Sequence, residues 1–305
     1  SNAPLANSPL ITLCKTDGST LLLSAYTTNS YRFCDRTTLT AGLNVQHLAL
    51  NGATTLEPRA SVSTKLNDKM TLALTYGLHS RAEKTDIYFM REVEDPSVTG
   101  NWENPKFTDK LVNHDLGFTK SHHMMLTWGY KMSDSWNLKL EPYYQYLFDV
   151  PVEKGTPYSV LNRQEFGIIK QLVNDGEGRN YGVDVTLERF FKAGWYGMAN
   201  GSFFSSKYKG GDGVWHHTVF DRNFIVNVMG GKEWMLGRNH NNMLSVNVRV
   251  TLQGGDRYSP LDKEATLACP DYYTQYDLTR AYSLQRPPMV IAHYTISYRM
   301  NRKTV

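Results

Sequence analysis

The 305-residue chain has no run of eighteen apolar residues, which excludes a spanning helix and says nothing of strands. Cysteine is scarce: Cys14, Cys34 and Cys269 cannot build a disulfide framework, and at most one pair, Cys14–Cys34, could form with one thiol left over. An excess of one charge is also missing. Lys plus Arg total 33 against 29 Asp plus Glu, a formal +4, with no dense basic cluster, so nucleic acid is not an expected partner. No fifteen-residue window carries a convincing 3.6-residue period. There is no signal peptide, and Ser1-Asn2-Ala3 reads as a scar left by expression. A Ser-centred nucleophile elbow, an HExxH pair and a phosphate-cradling loop are absent, so neither an enzyme nor a cofactor is expected.

What the chain does have is alternation. Met70, Leu72, Leu74, Tyr76 and Leu78 take every second place, as do Leu244, Val246, Val248, Val250 and Leu252. A side-chain period of two is that of a strand, so each such segment has one apolar wall and one wall that accepts water. Strands are expected near 10–16, 20–33, 37–50, 56–66, 69–79, 117–131, 136–148, 163–173, 180–192, 195–208, 217–233, 243–255 and 289–301. That is about thirteen, all antiparallel.

The connections are unequal. Asp17-Gly18, Asn51-Gly52, Asn67-Asp68, Ser133-Asp134 and Lys192–Gly194 read as tight hairpin turns. The stretches 80–116, 149–162 and 256–288 are long. Structureless loops of that length are uncommon inside compact domains. Short turns after 66, 131 and 192 against long excursions after 79, 148 and 255 fit the two ends of an outer-membrane barrel.

The walls point the same way. Asn137, Lys139, Glu141, Tyr143 and Gln145 oppose Trp136, Leu138, Leu140, Pro142, Tyr144 and Tyr146; Gly182, Asp184, Thr186 and Glu188 oppose Tyr181, Val183, Val185 and Leu187. Charges in mid-strand are costly in hydrocarbon and cheap on a wet lumen. The 19 Tyr, 12 Phe and 6 Trp suit a membrane interface, and equally a glycan-binding surface. Two architectures therefore remain: a membrane barrel, with Leu72, Leu74, Val183, Val185, Val246 and Val248 facing lipid, and a soluble or surface-attached β-sandwich that binds carbohydrate. In the first, Asp in place of Val248 impairs insertion while Asp in place of Asn247 is tolerated.

Candidate chemistry is thin. His122-His123 and His216-His217 look like metal ligands, but neighbours on a strand point to opposite faces; a site would need Glu, Asp or His from an adjacent strand, and no metal site is assigned. Asp175-Gly176-Glu177-Gly178 and Gly210-Gly211-Asp212-Gly213 lack the calcium-loop rhythm, and their glycines read as turns. Gly230-Gly231 and Gly254-Gly255 permit curvature or close approach, or are plain bulges. Glu141, Asp184, Glu188 and Glu233 read as a charged ladder on the wet wall, with Lys139, Arg189, Lys232 and Arg249 as possible partners. The loop near 256–288, with Tyr258, Tyr272, Tyr273, Tyr276 and Tyr282, is the best place for ligand contact, although no ligand-binding residue can be named.

A resemblance adds to this. The stretch 180–262, NYGVDVTLERFFKAGWYGMANGSFFSSKYKGGDGVWHHTVFDRNFIVNVMGGKEWMLGRNHNNMLSVNVRVTLQGGDRYSPLD, is similar to the C-terminal barrel region of TonB-dependent outer-membrane receptors of the Bacteroidetes type. LEPRASVSTKLNDKMTLALTYGLHS at 56–80, KSHHMMLTWGYKMSDSWNLKLEPYYQYLFDVPV at 120–152 and ISYRMNRK at 296–303 extend the likeness over about 37–303. The resemblance implies a barrel of about twenty-two strands around a plug. It also implies an outer-membrane location and import of a scarce ligand (siderophore, cobalamin, glycan or peptide). Import would be driven by an inner-membrane energising complex reached through N-terminal parts of the receptor, with lipid around the wall and a surface lipoprotein as a further partner. Residues 4–305 contain no plug and no energy-coupling segment, so they are expected to be a partial barrel domain without the plug.

Overall fold

The computed structural model describes residues 19–93, 107–163, 170–237, 241–269 and 274–300. In chain order the strands are β1 (Leu22–Cys34), β2 (Thr37–Leu48), β3 (Thr54–Lys65), β4 (Met70–Arg81), β5 (Arg91–Val93), β6 (Phe107–Leu111), β7 (Thr119–Lys131) and β8 (Trp136–Val152). There follow β9 (Val173–Lys192), β10 (Trp195–Lys209), β11 (Trp215–His217), β12 (Phe224–Leu236), β13 (Asn242–Gln253), β14 (Arg257–Tyr258), β15 (Leu284–Gln285) and β16 (Met289–Arg299). Two short helices, α1 (Thr85–Tyr88) and α2 (Lys263–Ala268), lie in the connections. No described helix is long and apolar enough to cross a membrane.

Twelve strands form one antiparallel sheet in the order β1-β2-β3-β4-β7-β8-β9-β10-β12-β13-β16, with β11 beside β10. The long strands run to 20 residues in β9 and 17 in β8, well beyond the usual five or six of a globular sheet. Register keeps the period of two in phase across the molecule. Leu74 lies opposite Leu126, Leu140 opposite Val185, and Val228 opposite Val250. All the apolar rows therefore share one wall, and the polar rows share the other.

The two ends of the sheet differ as the alternation of turn lengths requires. At one end β3 turns into β4 through Asn67, whose Oδ1 accepts the backbone N–H of Lys69 and of Met70, each at 2.9 Å. The β9–β10 turn places Ala193 at φ 55° and Gly194 at φ 79°, the doubly positive geometry that matches the twist of a two-residue hairpin. In the β7–β8 turn Lys131 Nζ lies 3.0 Å from Asp134 Oδ1; with Lys192 and Lys69 adding their charge, that carboxyl is held below its ordinary range.

The other end carries the long connections, and they are not structureless. The stretch after β4 contains α1 and the β5–β6 pair; the stretch after β13 contains the β14–β15 pair, α2 and a 3-10 turn at Leu278–Arg280. Asn side chains tie these loops to backbone: Asn51 Nδ2 donates to the carbonyls of His114 and Leu116, and Asn113 Nδ2 donates to that of Lys170. Beneath them lies a small core that includes Ile87, Tyr88, Phe118, Val150 and Leu172. Apolar burial is thus concentrated at the loop end rather than between two sheets.

Several expected strands shift. Residues 217–233 are not one strand: β11 ends at His217, and β12 begins only at Phe224. Asp221, fully buried, anchors the intervening turn by accepting the N–H of Ser206 at 3.0 Å and pairing with His217 Nδ1 at 2.5 Å. Of the expected strand at 163–173, Arg163 and residues 170–172 are not strand and Val173 opens β9, while 164–169 lie outside the described residues. Conversely, β9 reaches back through Asp175–Gly178, which the glycines had marked as a turn. The glycines serve close contact instead, since a Cβ on Gly176 would meet the Val150 carbonyl at 2.7 Å. The strand near 10–16, the Asp17-Gly18 turn and the Cys14 end of a Cys14–Cys34 bridge lie outside the described residues, as do Tyr272 and Tyr273.

The sheet is open. Both β1 and β16 are exposed along their whole length, and among the described residues neither has a partner on its outer edge. Eleven strands lie on the main path and every pairing is antiparallel, so β1 and β16 run in the same direction. Pairing them directly would require a parallel ladder; an antiparallel closure takes an odd number of further strands between them. Unpaired outer N–H groups exchange with water, so amide hydrogen exchange in detergent should be fastest in β1 and β16, at alternate residues, and slowest in β8 and β9. Equal protection of β16 and β9 would contradict the open sheet.

Candidate functional site: the polar wall

The apolar wall is uncovered. Leu74 is 59% exposed, Val248 47% and Ile296 64%, and no second layer of the described structure packs on them. Aromatic groups sit toward both ends of this wall. At the turn end Trp128 stacks on Tyr130 at 5.8 Å and Trp136 meets Trp195 edge-on at 6.1 Å; toward the loop end His122 stacks on Phe148 at 5.1 Å and bonds Tyr76 Oη at 2.9 Å. Two expected partners of the wet-wall carboxylates belong to this side instead. Arg189 lies opposite Trp136, with its guanidinium 3.3 Å from the ring centre of Trp195 and donating to the backbone carbonyls of Lys192 and Trp195. Lys232 lies over Trp234. Long cationic side chains at a belt of aromatics place their heads at an interface.

The polar wall is where side chains converge. Glu57 on β3 is fully buried and accepts from Asn44 Nδ2 at 3.0 Å, Gln46 Nε2 at 2.5 Å, Arg59 Nη2 at 2.7 Å and the backbone N–H and Oγ of Ser80 at 2.9 and 2.5 Å. A buried carboxylate is tolerable only with such a full set of donors. Next along the row, His123 Nε2 lies 2.6 Å from the side-chain amide of Gln145. Gln145 Oε1 accepts from Asn180 at 2.6 Å, Asn180 Oδ1 accepts from Ser206 Oγ at 2.6 Å, and Ser206 Oγ accepts from Thr218 Oγ1 at 2.8 Å. One polar chain therefore crosses the wall from β8 past β10, side chain to side chain.

Between these parts lies a concavity of about 950 Å³, lined among others by Tyr26, Asn44, Arg59, His79, His123 and Tyr143. Arg59 reaches it with a side chain 47% exposed, one nitrogen held by Glu57. The expected carboxylate ladder is present as a set of rows: Glu141 faces Asp184 across β8–β9, and Asn137 faces Glu188. Lys139 Nζ pairs with Glu141 at 2.7 Å, the one expected ion pair of this set that forms. The adjacent histidines split between walls as strand geometry demands, His122 to the apolar side and His123 to the polar side. His216 and His217 each find their own acid, Asp212 at 2.8 Å and Asp221 at 2.5 Å. The sequence did not reveal Glu57 or His79 as members of a site. Glu57 stands one place after Leu56 in an alternating run like many exposed glutamates, and only register brings its donors to it.

In the loop after β13, Tyr258 and Tyr276 are exposed, while Tyr282 turns in and meets Tyr208 edge-on at 6.2 Å. Asp277 caps the 3-10 turn there; hydrogen bonds from Thr279 hold its carboxyl below the ordinary range.

No family model matches the chain, and no curated protein matches it. Solved structures do. The ferric yersiniabactin uptake receptor FyuA from Yersinia pestis superposes with a TM-score of 0.60 at 13% identity, over 90% of this chain and 37% of that one. The ferripyoverdine receptor of the outer membrane of Pseudomonas aeruginosa gives 0.61 at 13%, over 92% and 33%. The fold is that of part of a TonB-dependent receptor barrel. A structure of FpvAI in complex with a pyocin is similar to the same degree, 0.61 at 13%, over 92% and 32%. The chain thus spans about a third of the length of these receptors, and the Bacteroidetes branch finds no support among them.

The Glu57 cluster generates a stability prediction. Removing the carboxylate strands Arg59 and several donors in a half-buried wall, so Glu57→Ala should lower unfolding stability by about 3–5 kcal/mol in urea. Ser30→Ala, which breaks only the exposed 3.0 Å bond to Thr40, should cost about 1 kcal/mol or less. Equal effects would mean that the buried cluster is not organised as described.

Proposed function

We propose that the chain, over residues 4–305, forms part of the barrel wall of an energised outer-membrane receptor that imports a scarce ligand. The observation that carries this reading is the uncovered apolar wall, bounded toward both ends by aromatic residues and backed by a continuous polar wall. A sheet in water hides its apolar wall against a second layer; a sheet in a bilayer presents it to lipid and keeps its charges on the lumen side. The carbohydrate-binding sandwich lacks support on the same ground, since the described strands make one large sheet and two small pairs. Transport, rather than catalysis, suits a polar wall whose carboxylates lie in rows, Glu141 facing Asp184 and bonded to Lys139 and Thr127.

The ligand class stays at the breadth the sequence allowed: siderophore, cobalamin, glycan or peptide. The similar receptors are named for ferric siderophores, which favours an iron chelate among these. Energising contacts would be made by parts of the receptor other than this wall. The loop end, with Tyr258, Leu267, Tyr276 and Leu278 exposed, would meet ligand or a protein such as a surface lipoprotein. The Bacteroidetes assignment rests on the sequence resemblance alone.

The wall assignment is tested by paired substitutions on β13. Val248→Arg should impair assembly into bilayers by about 2–4 kcal/mol, whereas Asn247→Arg, one residue away on the lumen side, should fold at close to the native level. Assembly is read by protease protection and heat-modifiable gel mobility. Equal tolerance of both substitutions would contradict a lipid-facing wall.

A further inference from the structure

Strand geometry forbids His122 and His123 from sharing an ion, and a site would need a ligand from the next strand. The fold supplies one. His79 on β4 and His123 on β7 lie on the same wall, with ring centres 4.7 Å apart and planes inclined by 54°. The register explains how: Gly77 is the direct partner of His123, and His79 is two places further along on the same face. The ring of His79 folds back over Gly77, where a Cβ would stand 2.6 Å from Nε2. The missing side chain is therefore what lets the two imidazoles meet. Both rings line the concavity of about 950 Å³.

From this we infer that His79 and His123 form a two-imidazole binding site for a divalent first-row transition-metal ion of the Cu²⁺, Ni²⁺ or Zn²⁺ class on the polar wall. With metal–nitrogen bonds of about 2.0–2.1 Å, two rings on one ion have centres roughly 4.5–5 Å apart at coordination angles between about 90° and 110°. The observed separation falls in that interval. Imidazole is a ligand of choice for these ions. The side-chain amide N–H of Gln145, whose Oε1 is taken by Asn180, donates to His123 Nε2 at 2.6 Å; that nitrogen therefore carries the ring's lone pair, and the ion takes the lone pair in place of the hydrogen bond. Among the described residues no cluster of three or more His, Cys, Asp or Glu side chains converges on one point. The remaining coordination positions belong to water or to oxygen and nitrogen groups of a molecule in the concavity. The nearby Glu57 is no candidate, because its oxygens are filled by five hydrogen-bond donors. The inference needs only the wall geometry, so it stands or falls separately from transport.

The test is Cu²⁺ titration of the full chain in detergent, followed by electron paramagnetic resonance. One ion per chain with coupling to two nitrogens is expected, lost in His79→Gln and in His123→Gln and retained in His216→Gln. Gly77→Ala should abolish it by displacing the His79 ring, whereas Gln145→Ala, which removes the donor competing for His123 Nε2, should preserve it. Should a histidine variant fail to fold, the unaltered chain gives the same answer: Zn²⁺ should protect His79 and His123 together from diethyl pyrocarbonate. Coupling to a single nitrogen, binding that survives both histidine variants, or modification of the two rings unaffected by Zn²⁺ would overturn the site.

Discussion

The rest of the structure depends on one constraint: a backbone whose hydrogen bonds run only sideways, within a single layer, while one face of that layer stays apolar and uncovered. Lateral pairing satisfies most of the strands' N–H and C=O groups, buried carboxylates take the N–H of Ser80 and Ser206, and the two outer edges stay unpaired among the described residues. It leaves the two walls free to differ completely, since a period of two assigns each residue to one side. Register then has to hold over eleven strands, because a one-residue slip in any strand would put its charges among the apolar rows. The tight turns are where register is pinned: Asn67 closes one with its side chain, and Ala193-Gly194 closes another with two positive φ angles.

The polar wall obeys a second rule that follows from the first. Many of its side chains are partly shielded from water, and several of these bond to one another, although Asp184 Oδ1 is buried without a partner. Glu57 gathers donors from β2 and β4 and from Arg59 beside it, and the amides of Gln145 and Asn180 pass hydrogen bonds on to Ser206. Glycine takes part by absence. Gly77 admits the His79 ring, and Gly231 leaves room for Tyr196, whose hydroxyl donates to Asn247 at 2.9 Å. At the loop end the same need is met by asparagines that reach backbone groups of distant loops, which is how long connections become ordered without a large core.

Much of the wall was legible in the sequence, because period two is a local signal. Val183, Val185, Val246 and Val248 fall on one wall with Leu74, and the short turns after 66, 131 and 192 fall at the end opposite the long connections, while Asn51-Gly52 turns at the loop end. The signal fails where backbone need not follow side-chain pattern. Asp175–Gly178 carries turn residues but is strand, since its glycines serve close packing against Val150 and Leu147; residues 217–223 alternate acceptably but bend, since buried Asp221 recruits Ser206 and His217. Arg189 and Lys232 were expected to answer carboxylates and lie against tryptophans instead, a matter of which face each occupies near a strand end. The convergence on Glu57 draws on three strands, from Asn44 to Ser80, and that of His79 with His123 joins two strands separated by a long connection. Only pairing register brings them together, and a single sequence does not carry it.

The central claim is that the two walls face two solvents, lipid and water. It is tested most directly by single spin labels at 183, 184, 185, 246, 247 and 248 in bilayer-reconstituted protein, comparing accessibility to oxygen with accessibility to a water-soluble nickel chelate. The account predicts oxygen-rich signals at Val183, Val185, Val246 and Val248, and chelate-rich signals at Asp184 and Asn247, in phase on both strands. Uniform accessibility along either strand, or chelate reaching the valines as readily as their neighbours, would contradict it.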